Sequence, residues 1–216
     1  MIVVIDYKAG NLYNVGNALK YLKAEFTVSG DPAVVSQADR VILPGVGSAR
    51  AAMESLTEQG LVEVLQGLRV PFLGICLGLQ LLFEVSDEDN TPCLGLLPGT
   101  VRRFNSSQVK VPHIGWNQVS GVAGQGSKRS ERTIAPAVPQ PSSKLFEGIP
   151  AESFFYFLHS YFAPVESPFT LGKTDYGDWF GSVVARENFY GVQFHPERSG
   201  EIGLKMLQNF LEVQSS

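Results

Sequence analysis

The chain is short of the residues that define several functional classes. It has only two cysteines, Cys76 and Cys93, among 216 residues. At most one disulfide is possible, which excludes a disulfide-built scaffold. The settings of the two cysteines differ so much that no pairing is expected, and a reducing, cytoplasmic environment is the simpler expectation. No block of like charges occurs and the formal net charge is −4, so neither a nucleic-acid surface nor a polybasic membrane patch is indicated. No apolar run approaches the length of a bilayer span. Met1–Ile5 is apolar but meets Asp6 and Lys8 at once, and it is expected to be neither a signal peptide nor a membrane span. Neither a complete Gly-x-x-x-x-Gly-Lys-Ser/Thr motif nor Gly-x-Gly-x-x-Gly occurs, which argues against a phosphate loop. Histidine is scarce as well: His113, His159 and His195 are the only three. Neither a metal nor a cofactor is called for.

What remains is a globular composition, 44% hydrophobic and 18% charged, on a chain long enough for one full core. Met1–Ile5 reads as a buried strand. Asn11–Lys23 reads as a helix, with Leu12, Val15, Leu19 and Leu22 at helical spacing and Asn11 as its cap. Glu25–Ser29 and Arg40–Leu43 read as strands, Ala49–Gln59 and Leu61–Leu68 as helices, Val70–Ile75 as a strand and Leu77–Phe83 as a helix. Alternation of this kind implies a parallel sheet with crossover helices. Strands dominate the second half, at Phe154–Leu158, Phe169–Lys173, Ser182–Arg186 and Phe189–Phe194. Ile202–Leu211 reads as a closing helix. Residues 121–143 are rich in Gly, Ser, Pro and Gln and read as a flexible surface insertion. The expected result is a single α/β domain over residues 1–216, with a mostly parallel central sheet, helices on both faces and an antiparallel extension.

The main chemical signal is Gly74-Ile75-Cys76-Leu77-Gly78, a buried strand running through Gly-x-Cys-x-Gly into a helix. It has the form of a nucleophile elbow with cysteine as the nucleophile. Glycines let the backbones pass closely, and the free N–H groups of a helix start favour a thiolate. A core cysteine between two packing glycines is the alternative, and the strand before and helix after weigh against it. Cys93, in Thr-Pro-Cys-Leu, reads as structural.

A cysteine nucleophile needs a histidine base. His195 ends an apolar strand and is followed by Pro196-Glu197, so Glu197 is placed to accept from the imidazole and set its tautomer. His159 also follows an apolar strand and is a rival, without an acid close by in sequence. His113, flanked by apolar residues, reads as structural. Pro44-Gly45-Val46-Gly47-Ser48 follows a strand and precedes a helix, where glycines free the backbone to aim N–H groups at an anionic oxygen. Leu77 N–H, directly after Cys76, is the second donor. A Gly-rich turn with no ligand is the alternative for this loop.

Taken together, Pro44–Gly47, Gly74–Gln80 and Phe194–Glu197 resemble the three motifs of the class I, or triad, glutamine amidotransferases, in the same order and with fitting spacing. The resemblance spans essentially the whole chain and implies their flavodoxin-like α/β fold. Lys110–Asn117, Tyr156–Tyr161, the opening Asp6-Tyr7 with Gly10–Leu12, and the ending His195–Gly200 are similar to the glutaminase subunits of imidazole glycerol phosphate synthases. Two departures stand out. Arg198 replaces a frequent lysine, and residues 121–143 exceed the family core.

The resemblance implies that glutamine is hydrolysed through a thioester on Cys76, with His195 as base, Glu197 as its orienter, and Val46, Gly47 and Leu77 at the oxyanion. Gly47, Gln80, Ser160 and Tyr161 match positions associated with L-glutamine binding. Asn11, Trp116, Tyr156 and Arg198 match positions placed against a (βα)8-barrel cyclase subunit. For Trp116 and Tyr156, residue type alone favours core packing. The cyclase would use the ammonia to convert PRFAR, a phosphorylated ribulosyl formimino-carboxamide ribonucleotide, into imidazole glycerol phosphate and AICAR. Three rival readings stand beside this one: an amidotransferase of another pathway, a cysteine peptidase or γ-glutamyl hydrolase, and a non-catalytic module that kept the fold.

Overall fold

A computed structural model describes residues 1–8, 11–121 and 144–214. The expected insertion, apart from Gly121, lies outside the described residues, and so does Gly10. In chain order the first half holds β1 (Ile2–Ile5), α1 (Leu12–Tyr21), β2 (Phe26–Ser29), α2 (Pro32–Ser36), β3 (Arg40–Gly45), α3 (Ala49–Glu58), α4 (Leu61–Gly67) and β4 (Phe72–Cys76). The second half holds α5 (Leu77–Gln80), β5 (Phe83–Ser86), β6 (Thr91–Pro92), β7 (Leu97–Arg103), β8 (His113–Gln118), β9 (Phe154–His159), β10 (Tyr161–Phe162), β11 (Thr170–Tyr176), β12 (Asp178–Arg186), β13 (Phe189–Val192) and α6 (Gly200–Glu212).

The central sheet has seven strands in the order β11-β12-β13-β4-β3-β1-β2. The run from β13 to β2 is parallel, and β12 and β11 add to it antiparallel. Its strands are apolar without alternation because both faces are covered. On β1, Val4 joins the core beneath α1 and α6, whereas Val3 and Ile5 join the core beneath α2, α3 and α4. Among the described residues no helix is long and apolar enough to cross a membrane. Cys76 and Cys93 are both free thiols.

Several elements differ from the sequence reading. The Leu77–Phe83 helix is one turn only, and Phe83 already belongs to β5. Every residue from Leu77 to Phe83 is buried, and an unbroken apolar run carries no period to separate helix from strand. A four-stranded sheet, β10-β7-β5-β6, and the two-stranded antiparallel sheet β8-β9 were not anticipated. Pro98 and Gly99 inside β7 mask it as a strand. Helix α2 has sound start signals, Asp31 capping Ala33 N–H at 2.8 Å and Pro32 at its first position, but five residues cannot display a period. Asn11 stands at the start of α1 yet its side chain does not cap the helix.

Candidate active site

Three loops meet at one edge of the central sheet because β3, β4 and β13 are parallel neighbours. Gly45 pairs with Cys76, and Val192 pairs with Ile75. The carboxyl ends of these strands therefore deliver the Gly-rich loop, Cys76 and His195 to one crevice, where open α/β sheets assemble their sites.

Cys76 sits at φ 54°, ψ −107°, a conformation rare for a residue with a side chain. Glycines make the turn possible. A Cβ on Gly78 would overlap the Leu43 carbonyl oxygen, and one on Gly74 would overlap the Gly78 carbonyl oxygen. The strained residue is thus held by close packing of α5 on β3 and β4. The Cys76 thiol donates to Leu158 O at 3.5 Å, and Gln193 Nε2 donates to Cys76 Sγ at 3.7 Å.

His195 Nδ1 lies 2.8 Å from Glu197 Oε1, and both side chains are buried, at 2% and 0% exposed. The carboxylate can only accept, so Nδ1 carries the proton and Nε2 is left free to take one. Among the described residues, buried Nε2 has no hydrogen-bond partner. Burial alone would depress the pKa of His195, but Cys76 and Glu197 outweigh it and hold it at about 10. An imidazolium is favoured wherever Cys76 is a thiolate.

The rival bases are tied up elsewhere. His159 Nδ1 lies 2.8 Å from the Tyr161 carbonyl oxygen, so it carries the proton and Nε2 must accept. Its partner is His113 Nδ1 at 3.0 Å, and Asn117 Nδ2 stands 3.4 Å from His113 Nε2. All four ring nitrogens are thereby assigned, and both rings are neutral. Burial pushes His159 down to about 3 and His113 to about 4. His159 lines the crevice but is not placed to serve as a base.

A cavity of about 280 Å³ opens beside Cys76 and His195, lined also by Val46, Gly47, Leu77 and Gln80. Ser160 and Tyr161 complete another wall. Gln80 is buried and donates to Tyr161 O at 2.7 Å and to Gln193 Oε1 at 3.2 Å. Gly47 has φ +96°, so the Val46–Gly47 peptide takes an orientation that a larger residue would resist. The larger cavity of about 690 Å³ lies elsewhere, between α3 and the Asp89–Cys93 stretch, and holds none of these groups.

A family model described as glutamine amidotransferase class-I matches residues 3–213. The chain belongs to the class I glutamine amidotransferases. The chain is 42% identical over 214 residues to the imidazole glycerol phosphate synthase subunit HisH of Bacteroides fragilis, covering 98% of this amidotransferase and 99% of the relative. It is 40% identical over 217 residues to subunit HisH 2 of Legionella pneumophila strain Paris, with both chains fully covered. A crystal structure of a glutamine amidotransferase superposes with a TM-score of 0.70 at 18% identity, covering 99% of this chain and 98% of the other. A structure of PurLQS from Thermotoga maritima superposes with a TM-score of 0.64 at 21% identity, covering 98% and 97%.

Two groups of this amidotransferase escaped the sequence reading. Glu88 lines the cavity, and its Oε2 accepts from Ala49 N–H at 2.6 Å at the start of α3. In sequence it lies within Asp87-Glu88-Asp89, which reads as a solvated turn. Gln193 was visible as a polar residue inside an apolar run, and a buried amide demands partners. Neither Trp116 nor Tyr156 is packed in the core as residue type alone suggested. Trp116 is 56% exposed on the outer face of the β8-β9 sheet, directly opposite Tyr156, with ring centroids 6.1 Å apart. The Arg198 guanidinium lies 4.3 Å over the Tyr156 ring, and Ile114 and Phe154 are exposed beside them. Asn11 is half-buried and faces Glu197.

Proposed function

We propose that this chain is the glutaminase subunit of an imidazole glycerol phosphate synthase, hydrolysing L-glutamine and passing the ammonia to a cyclase subunit. The observation that carries the chemistry is the buried His195–Glu197 pair, 2.8 Å apart, beside a strained Cys76 at the same sheet edge. Full-length similarity to chains named as HisH subunits supports the pathway.

In this reading the Cys76 thiolate attacks the side-chain amide carbon of glutamine. The carbonyl electrons move onto oxygen, where N–H groups of the Val46–Gly47 loop and Leu77 hold the charge. The His195 imidazolium gives its Nε2 proton to the leaving nitrogen, the C–N bond breaks, and ammonia departs from the thioester. Water then attacks as Nε2 takes its proton. The C–S bond breaks, glutamate leaves and the Cys76–His195 pair is restored. Glu197 fixes the tautomer throughout. Gln80, Ser160 and Tyr161 hold the glutamine, and Glu88 offers a carboxylate to its α-ammonium group.

The exposed face of Ile114, Trp116, Phe154 and Tyr156 is apolar and aromatic with Arg198 at its margin, and aromatic residues and arginine are enriched at interfaces. It is the surface for the barrel cyclase, which converts PRFAR to imidazole glycerol phosphate and AICAR. The test is co-purification with candidate barrel cyclases, followed by a glutaminase assay with and without the cyclase ligand. Association with no such cyclase, or glutamine-independent behaviour of the complex, would refute the proposal.

A further inference from the structure

We propose that Asn11 is a positioning residue of the catalytic machinery, holding the Glu197 carboxylate where it supports His195. The proposal rests on the roles given to Glu197 and His195 above. Glu197 Oε1 accepts from His195 Nδ1 at 2.8 Å and also from Asn11 Nδ2 at 2.8 Å. The Glu197 side chain is fully buried, and its Oε2 has no hydrogen-bond partner among the described residues. Among the described residues the carboxylate therefore has one side-chain donor beyond the histidine it orients, Asn11. The orientation of that amide follows from chemistry. A carboxylate only accepts, so the Asn11 nitrogen faces it, and the Asn11 oxygen accepts from Asn14 Nδ2 at 2.7 Å. Asn14 lies in the first turn of α1. The two amides form a brace from that turn to the Pro196–Arg198 turn that carries Glu197.

What separates this from an incidental contact is the bond that Asn11 does not make. It occupies the N-cap position of α1, where an asparagine oxygen ordinarily accepts from a backbone N–H of the first turn. Here φ is −89° and ψ is 53°, outside the extended region usual for a cap, and no capping bond forms. The helix start forgoes a local stabilisation while the same side chain serves a catalytic carboxylate. Departures from local preference of this kind concentrate at functional sites. Without the Asn11 donor, a buried carboxylate would keep one hydrogen bond and could swing about its terminal torsion. It would then hold an imidazolium on His195 less firmly.

Asn11→Ser and Asn11→Asp separate this role from a structural one, since Ser and Asp are both good N-caps. Ser is too short to reach Glu197, and Asp sets a second carboxylate against it. Three quantities are measured: Tm, kcat and KM for glutamine in the complex, and the pH dependence of Cys76 alkylation by iodoacetamide in the free subunit. The free subunit excludes effects through a partner. For Asn11→Ser we expect a Tm no lower than wild type and a kcat lower by about 10- to 100-fold, the loss of one hydrogen bond to a charged group. KM should stay within about twofold, and the rise in alkylation should move to higher pH. For Asn11→Asp, kcat relative to wild type should rise as pH is lowered, because the introduced carboxyl then gains a proton to donate. Wild-type kcat and alkylation in Asn11→Ser, or a kcat loss that tracks a fall in Tm, overturns the proposal. A wild-type complex that fails to hydrolyse glutamine counts instead against the glutaminase reading, and the alkylation profiles still decide the role of Asn11.

Discussion

The Tyr156 carbonyl oxygen accepts a hydrogen bond from the His195 backbone N–H at 2.8 Å. The Tyr156 N–H in turn donates to Ser199 Oγ at 2.9 Å, and that hydroxyl donates to His195 O at 2.7 Å. The residue that presents a ring to the outer face is thus stitched by its backbone to the residue proposed as base. A partner that grips the Trp116–Tyr156 face therefore acts on a strand hydrogen-bonded to the proposed base.

From this we expect the free subunit to be a weak glutaminase and the complex with cyclase and cyclase ligand to be strongly activated. The physical element is the Val46–Gly47 peptide, whose glycine permits more than one orientation. Losing one oxyanion donor costs about 3–4 kcal/mol, or about 10²–10³ in rate. A partner can supply that much only by binding the donor-in state more tightly. Steady-state hydrolysis by free subunit, complex and liganded complex checks it. Equal kcat in all three removes the gating idea and leaves the triad standing.

Cys76→Ala and Cys76→Ser should abolish glutamine-dependent synthesis in the complex, while ammonium salts still support it, because the proposed function places the cyclase chemistry on another subunit. The assay is product formation with each nitrogen source. Wild-type glutamine turnover in Cys76→Ala would sink the nucleophile assignment.

The three histidines should separate by both rate and pH. His195→Ala should cost at least about 10² in kcat. His159→Gln should instead change acid stability. The buried neutral values of His113 and His159, about 4 and about 3, lie below the ordinary 6.5. The unfolded chain therefore binds protons first, and the stability they confer is complete above about pH 6.5 and lost as pH falls toward 3. His195, held at about 10, behaves oppositely: its contribution is complete below 6.5 and lost as pH rises through about 10. Denaturant unfolding across pH 3–7 should show a flatter acid slope in His159→Gln than in wild type. Identical slopes would show that the His113–His159 pair does not govern acid stability.

Gly78→Ala tests the packing that holds the elbow. The added methyl must displace the Leu43 carbonyl or α5, at a cost of about 1–3 kcal/mol typical of overpacking. Activity should fall more than stability explains, since Cys76 begins the same turn. Gly67→Ala, in α4 with open space around it, is the control and should leave both unchanged. A Gly78→Ala chain with wild-type Tm and kcat would mean that the turn tolerates a Cβ.

The parallel sheet was legible in the sequence, and Cys76, His195 and Glu197 were legible as candidate site residues, because their signals are local. Apolar strand runs, a Gly-x-Cys-x-Gly turn and a His-Pro-Glu stretch each lie within a few residues. Local signals also named the Gly-rich loop, since a strand followed by two glycines and a helix cap limits what the backbone can do. What the sequence could not decide was anything that depends on elements distant in the chain. His159 and His195 look alike as strand-ending histidines, and only the pairing of β8 with β9 places His113 against one of them. Asn11 reads as a helix cap until α1 packs beside the Pro196–Arg198 turn and brings Glu197, 186 positions away, within 2.8 Å. Glu88 joins the cavity only because the β5–β6 turn folds over the start of α3. Burial and hydrogen-bond partners belong to the packed chain, and they assign the proton positions on which the proposed mechanism turns.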